Sequence, residues 1–246
     1  MRLLYSFIID ADPKFLVQAR LLVASLLGSG VPACNIIANV TPASGDAGHA
    51  LAKAFGIAST VTTPQVDGKF CNKIDQLLRL NDPDYDVLVL CDTDIAILER
   101  LDSVALPDAI RAKRVDLDNP PLGVLEALRP LFRVDATPEI VPCSCAPALT
   151  YRLNCNGGLM MLPRQFVWSL GQEWLNCAKW LHGERHRLVG WDVHIDQVSW
   201  AFAMLRLGYP FDELSIDYNF PTGFASKIPP SQYRSPSRPA SSQRHR

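Results

Sequence analysis

Residues 87 to 94 read Val-Leu-Val-Leu-Cys-Asp-Thr-Asp, and this run constrains the chain more than any other. Four apolar residues, two of them β-branched, predict a short strand covered on both faces, as in a parallel sheet. The strand runs straight into two carboxylates. In extended chain, residues i and i+2 share a face, so Asp92 and Asp94 point one way and Thr93 the other. Open α/β sheets take their ligands at the carboxyl ends of strands. Two carboxylates there repel unless a cation sits between them. A hard divalent ion such as Mg²⁺ or Mn²⁺, shared with a phosphate, meets that need. Taken alone, such a triplet is more often a loop or helix cap than a metal site.

The chain in front of this run alternates strand and helix. Leu3 to Ile9 predicts a strand. Asp12-Pro13 starts a helix, with Asp as N-cap and Pro in the first helical position. Phe15, Leu16, Ala19, Leu22, Val23 and Leu26 recur at helical spacing up to Gly28. A second strand is expected over Asn35 to Val40, a helix over Gly45 to Phe55 closed by Gly56, and a weaker strand over Ser59 to Thr62. Phe70, Ile74, Leu77 and Leu78 fall on one helix face, stopped by Asn81-Asp82-Pro83. This order is that of a doubly wound sheet. No G-x-G-x-x-G follows the first strand and no lysine phosphate loop occurs, which disfavours a dinucleotide-binding dehydrogenase and a P-loop enzyme.

From 118 to 150 the character changes. Pro120, Pro121, Pro130, Pro138, Pro142 and Pro147 predict an irregular excursion with one short helix near Val124 to Phe132, a segment of the kind that borders active sites. Order returns at Asn154, where a glycine turn feeds an apolar strand through Leu162. Helices follow over Phe166 to Leu181, with Phe166, Leu170, Trp174 and Ala178 on one face, and over Asp192 to Leu207, with Ile195, Val198, Phe202 and Leu205 inward. A last strand is expected at Leu214 to Tyr218. Trp168, Trp174, Trp180 and Trp200 hold helical positions and are expected to line the core or a groove. The sequence therefore divides into a single α/β domain over 1–228 and a disordered Pro/Ser/Arg tail over 229–246.

Bulk properties narrow the function. The 246 residues are 48% hydrophobic and 20% charged, with a net charge of −1. That is ordinary for a globular protein and gives no whole-chain electrostatic footprint for nucleic acid. No apolar run reaches the roughly 18 residues of a membrane span. Asp10 and Asp12 interrupt the apolar N-terminus, and no small-residue cleavage site follows, so a first strand is expected rather than a signal peptide. Seven cysteines with no C-x-x-C pair argue for reduced thiols in a cytoplasmic protein rather than a zinc site.

Further residues could carry chemistry. Asn156-Gly157-Gly158 removes two side chains, which lets a ligand approach the backbone. Asp196-Gln197 opens a helix, where an acidic residue is also expected on dipole grounds alone. Lys73, beside Asn72, sits early on a helix, where its charge opposes the dipole and a phosphate would relieve it. His182 and His186 are spaced i, i+4 but flank Gly183 with no third ligand nearby, and they read as a polar helix end. Ser25 and Ser44 lack a nucleophile elbow.

The series Asp92-Thr93-Asp94, Asn156-Gly157-Gly158-Leu159-Met160, Asp196-Gln197 and Asp217-Tyr218-Asn219-Phe220 resembles, in order and spacing, the GT-A nucleotide-sugar glycosyltransferases, and among them the family-8-like group, across roughly residues 2 to 224. The resemblance implies a GT-A (Rossmann-like), mostly parallel sheet flanked by helices. It implies Mn²⁺ or Mg²⁺ on Asp92 and Asp94, and a nucleoside-diphosphate sugar, with a UDP-hexose as the expected donor, bound by Asn72, Lys73, Asp92, Thr93, Asn156, Gly157, Gly158 and Asn219. Asn219 would shape the acceptor side. Asp196 and Gln197 would lie near the anomeric carbon as catalytic residues, and a hydroxyl of an unspecified acceptor would receive the sugar. One departure stands out. The histidine such enzymes carry near the C-terminus has no counterpart here but His245, which leaves a third metal ligand unassigned. Two alternatives follow: an inactive sugar-nucleotide-binding protein on the same fold, and a D-x-D phosphatase of haloacid dehalogenase type. The latter expects Thr or Val where Ala96 stands, and a motif after the first strand rather than the fourth. A nucleotidyltransferase would need a glycine- and arginine-rich loop in place of Asp10-Ala11-Asp12-Pro13.

Overall fold

The computed structural model describes residues 1–80 and 84–222. The Asn81-Asp82-Pro83 stop, the tail over 229–246 and His245 lie outside the described residues.

Strand β1 (Leu3–Ile9) leads into α1 (Pro13–Gly28), β2 (Ile36–Val40), α2 (Asp46–Phe55), β3 (Ala58–Val61), α3 (Asp75–Arg79) and β4 (Val87–Cys91). These follow the sequence closely. The Asp12 carboxylate caps α1 by accepting from the Lys14 N–H at 2.9 Å, with Pro13 in the first turn. Gly56 closes α2 at φ 66°, a left-handed conformation that suits glycine. Then come β5 (Ile110–Arg114), α4 (Leu122–Leu128), β6 (Ile140–Pro142), β7 (Leu149–Tyr151), β8 (Cys155–Pro163), α5 (Arg164–Gly183), α6 (Ile195–Leu207) and β9 (Phe211–Glu213).

Seven strands form one sheet in the order β3-β2-β1-β4-β8-β5-β9, and β6 pairs with β7 in a separate hairpin. Every neighbour pair in the large sheet is parallel except those made by β8, which runs antiparallel to both β4 and β5. Alternate residues divide the core. Leu3, Tyr5, Phe7, Val87, Val89 and Met161 pack with Ala19, Leu22, Val23 and Leu26 of α1 and with Leu51 and Ala52 of α2. Leu4, Leu88, Leu90, Met160 and Leu162 face α3, α5 and α6. Helices on both faces explain why β4 is apolar throughout, and all five of its residues are buried.

On the second face, α5 lies against α3 and α6. A Cβ on Gly171 would stand 2.8 Å from Leu77 Cβ, so glycine sets that approach. The Trp174 indole donates to the backbone oxygen of Asp196 at 2.9 Å and to Ser199 Oγ at 3.0 Å, which pins the first turn of α6.

Several expectations need correction. The segment before β4 is a 3₁₀ turn over Phe70–Ile74 followed by α3, and Phe70 is exposed rather than part of an inward face. Leu205 and Phe166 are only half-buried. Asn156-Gly157-Gly158 lies within β8 instead of forming a turn before it. The last strand is Phe211–Glu213, earlier than expected: the Leu214 N–H makes a last bond to the Ala112 carbonyl of β5, and residues 216–219 form a turn. Trp168 points into solvent, whereas Trp174 and Trp200 are core residues. The excursion contains the β6–β7 hairpin as well as α4, and β5 has no counterpart in the sequence reading. All seven cysteines are free thiols.

Candidate active site

The antiparallel run of β8 decides where the motifs meet. Its N-terminal end lies at the carboxyl ends of β4 and β5, since Cys91 pairs with Leu159 and Arg114 with Cys155. One step beyond the ladder, the Asp92 N–H donates to the carbonyl of Gly158 at 2.9 Å. The carboxylates after β4 and the glycines of β8 are therefore neighbours across the sheet.

Lys73 joins them to a third element. Its Nζ lies 3.2 Å from Asp92 Oδ1 and 3.2 Å from Asp196 Oδ2. The side chain of Asp196 is only 5% exposed and that of Lys73 only 14%, while that of Asp92 is 42% exposed and faces the open side of the site. Burial works against the Lys73 ammonium, but the two carboxylates outweigh it and hold its pKa above the usual lysine value. Burial also pushes the Asp196 carboxyl up. Lys73 pulls it back, but one ammonium shared between two carboxylates does not offset burial together with the charge of Asp92.

Glycine gives the cluster its room. A Cβ on Gly157 would stand 2.6 Å from Lys73 Nζ and 3.7 Å from Asp196 Oδ2, and one on Gly158 would stand 2.6 Å from the Asn219 amide nitrogen. Asn219 has φ 63°, a left-handed conformation that asparagine tolerates better than most residues. Its Nδ2 donates to Asn156 Oδ1 at 2.9 Å.

Asp94 stands beyond β4, more open to solvent. Enclosure of its carboxyl, and then the like charge of Asp92, push its pKa above the usual range. Thr93 is buried on the opposite side, its hydroxyl donating to Gln18 of α1 at 3.2 Å. Asn72 is also buried. Its amide oxygen accepts from the Gln65 N–H at 3.0 Å, and its Nδ2 donates to the Gly68 carbonyl at 3.0 Å and to Asp10 at 3.4 Å. Both side chains support the loops around the site. Gln197 is half-buried and hydrogen-bonds the His194 imidazole, whose pKa burial lowers.

Asp92, Asp94, Lys73, Asp196, Asn156, Gly157, Gly158 and Asn219 thus gather at one sheet edge. Among the described residues, no group of three His, Cys, Asp or Glu side chains forms a metal cage. Asp92 and Asp94 suit a cation that arrives with phosphate oxygens, since Mg²⁺ in phosphoryl sites is commonly held by one or two carboxylates plus the substrate.

Sequence reasoning missed Asp116 and Lys113. Lys113 is fully buried on β5 and its Nζ meets Asp116 Oδ1 at 2.5 Å. Asp116 in turn accepts from Asn156 Nδ2 at 2.8 Å. The available signal was Asp116 itself, an acidic residue two positions past β5, one further than Asp92 stands past β4. A cavity of about 160 Å³ lined by Glu139, Tyr151, Arg152, Tyr209 and Phe211 shares none of these residues.

No family model and no curated protein sequence matches the chain. Solved structures do. The galactosyltransferase LgtC, crystallised with donor and acceptor sugar analogues, superposes with TM-score 0.52 at 12% identity, covering 94% of this chain and 80% of that one. The glycosyltransferase GlyE of Streptococcus pneumoniae superposes with TM-score 0.51 at 10% identity over 92% of this chain, which spans 48% of GlyE. Mouse xyloside xylosyltransferase 1, in its apo form, gives TM-score 0.47 at 15% identity, with 87% and 85% of the two chains covered. No helix among the described residues is long and apolar enough to cross a membrane. The strand order, the single reversed strand and the helices on both faces give this chain the GT-A, Rossmann-like fold, which it shares with LgtC and GlyE.

Proposed function

We propose that the protein is a glycosyltransferase that moves a hexosyl group from a nucleoside-diphosphate sugar, in the first instance a UDP-sugar, to an acceptor hydroxyl with the help of Mn²⁺ or Mg²⁺. The observation that carries this reading is Lys73, whose ammonium lies 3.2 Å from both Asp92 and Asp196 at the carboxyl edge of the sheet, in the space that Gly157 leaves free of a side chain. The fold likeness to LgtC and GlyE supports the same reading.

Transfer breaks the bond between the anomeric carbon and the diphosphate oxygen and makes one to the acceptor oxygen. Positive character develops at the carbon and negative charge on the leaving diphosphate. A divalent cation on Asp92 and Asp94 would supply charge neutralisation to the diphosphate when bound. Lys73 holds a fixed positive charge at the same edge. Asp196, locked by Lys73 and by the Trp174 bond to its backbone, offers a buried carboxylate whose field stabilises a cationic carbon far more than it would in water. Lys73 Nζ and the Asn219 amide fill the space that Gly157 and Gly158 leave, so a sugar ring at this edge would meet those two groups. Asn156 and Asn219 offer amide groups at that edge.

Calorimetric titration of UDP with Mn²⁺ and then with EDTA tests the reading, followed by turnover of UDP-hexoses. Metal-dependent UDP binding and sugar release support it. A folded protein that binds UDP in neither condition overturns the UDP-donor assignment. Binding without turnover on any acceptor favours an inactive sugar-nucleotide-binding protein, and hydrolysis of a simple phosphomonoester favours a phosphatase.

A further inference from the structure

Three segments, at 113–116, 144–145 and 156, meet at one carboxylate. Asp116 follows β5. Its Oδ1 accepts from Lys113 Nζ at 2.5 Å, Ser144 Oγ at 2.6 Å and Cys145 Sγ at 3.2 Å. Its Oδ2 accepts from Asn156 Nδ2 at 2.8 Å. The backbone repeats the connection: the Ser144 N–H donates to the Val115 carbonyl at 2.9 Å, and the Val115 N–H to the Asn154 carbonyl at 3.0 Å. Asn156 then bonds onward. Its Oδ1 accepts from the Gly158 N–H and from Asn219 Nδ2, both at 2.9 Å.

The two ends of a primary amide are not equivalent. Because Asn156 Nδ2 is committed to a carboxylate, its Oδ1 must face Gly158 and Asn219. If the amide turned over, a donor would face two donors on one side, and an oxygen would face an oxygen on the other. Asn219, held in this way, packs against the bare Cα of Gly158 with no room for a Cβ between them.

We propose that Asp116 is a positioning residue that fixes the Asn156 amide and thereby seats Asn219, with the turn at 214–220, on the edge that receives the donor sugar. The part concerning the sugar rests on the donor reading above, whereas the positioning does not. Asp116 itself needs to touch no ligand. Burial opposes its charge, but the bonds from Lys113, Ser144 and Cys145 hold its pKa below the usual carboxylate range, so it remains an acceptor at neutral pH.

The test is a polarity swap read by amide hydrogen exchange. Asp116→Asn puts an amide where a carboxylate accepted from both sides, so one of its neighbours loses a partner. Asn156→Asp sets carboxylate against carboxylate. The double variant Asp116→Asn/Asn156→Asp restores every donor–acceptor pair along the line from Lys113 to Asn219. Asp116→Asn also leaves the buried Lys113 ammonium without its counter-ion and so lowers overall stability; measured relative to β1 and α1, exchange at Gly158 and over 214–220 is expected to speed up by roughly tenfold, the order set by one lost hydrogen bond. Exchange in the double variant is expected to return to the wild-type rate.

Wild-type exchange over 214–220 in the single variant overturns the proposal, as does a double variant as loose as the single ones. If Asp116→Asn fails to fold, the double variant decides: a folded protein with wild-type exchange supports the proposal, and a misfolded one reduces Asp116 to a structural role. In parallel, calorimetry compares UDP with UDP-glucose and UDP-galactose. Asp116→Asn is expected to retain UDP binding and to lose the added affinity contributed by the sugar. Wild-type protein that binds none of these removes the donor reading and leaves the exchange result to judge the positioning.

Discussion

Lys73 Nζ occupies the space that a side chain on Gly157 would need, 2.6 Å from the ideal Cβ position. Gly157→Ala therefore forces the ammonium to retreat from at least one of Asp92 and Asp196. The lysine is flexible, so the expected stability cost is modest, about 1–2 kcal/mol. Affinity for a UDP-hexose is expected to fall by about tenfold or more, since one well-placed charge contact is worth at least ~1.4 kcal/mol. Thermal denaturation beside calorimetry reads both, and unchanged sugar-nucleotide affinity would remove Gly157 from the site.

Lys73→Met leaves Asp196 buried without its counter-ion. Breaking such a pair costs about 3 kcal/mol or more near neutral pH. The sign of the pH dependence follows from the raised pKa of Asp196, which is due first to burial and rises further without Lys73. A carboxyl with a raised folded-state pKa contributes stability that is fully present below its unfolded value, about 3.9, and is lost as pH rises through the folded value. The gap between variant and wild type is thus expected to narrow from about pH 8 to about pH 5. Urea midpoints across that range measure it, and a gap that widens in acid contradicts it.

Two glycines in helices are expected to respond with opposite signs. At Gly171 an added Cβ would stand 2.8 Å from Leu77 Cβ and 3.1 Å from Leu78 Cδ2, so Gly171→Ala is expected to destabilise by about 1 kcal/mol net of its helix-propensity gain. At Gly123 in α4 nothing lies within 4 Å, and Gly123→Ala is expected to stabilise by up to about 1 kcal/mol. Chemical denaturation of the pair gives the comparison, and a shared sign would show that packing does not decide between them.

Thiol reactivity is expected to separate into classes. Cys34 is exposed and should react first with a disulfide reagent, with half-buried Cys145 slower. Cys71, Cys91 and Cys155 are buried, and burial raises their pKa far above the ordinary thiol value, while Cys143 is pushed up to about 11 and Cys177 to about 12. These five should react only on unfolding. A second fast thiol in native protein would contradict this assignment.

Strands β1, β2 and β4 were legible because each is short, apolar and bounded by recognisable turns or caps such as Asp12-Pro13, whereas the exposed Ala-Ser-Thr-Val of β3 gave only a weak signal. The strand at Ile110–Arg114 escaped because three of its five residues are basic. Its place in the sheet depends on Asp116, which neutralises Lys113 at full burial, a long-range fact that no local pattern carries. The direction of β8 escaped for a similar reason: an apolar run fixes burial but not polarity. At the site, charge type and strand position pointed to Asp92 and Asp94, while Asp196, at a helix start, was singled out by the family resemblance. Nothing local could show that Thr93 and Asn72 turn to Gln18 and to the Gln65 loop. Nor could the hub at Asp116 be read, since Ser144, Cys145 and Asn156 reach it from 28 to 40 residues further along the chain.

The reversed strand also orders events in time. β4 pairs on one side with β1 and on the other with β8, whose residues lie beyond the whole excursion, Val87 against Pro163 and Cys91 against Leu159. Closing so long a loop costs entropy before any contact repays it, so pairing of β8 is expected to lag behind assembly of β1 to β4. During that interval β4 shows an unpaired apolar edge, open to pairing with another chain. The same docking event that covers this edge brings Gly157 and Gly158 to Asp92, so the nascent chain is expected to leave its aggregation-prone phase and assemble its candidate site in a single step.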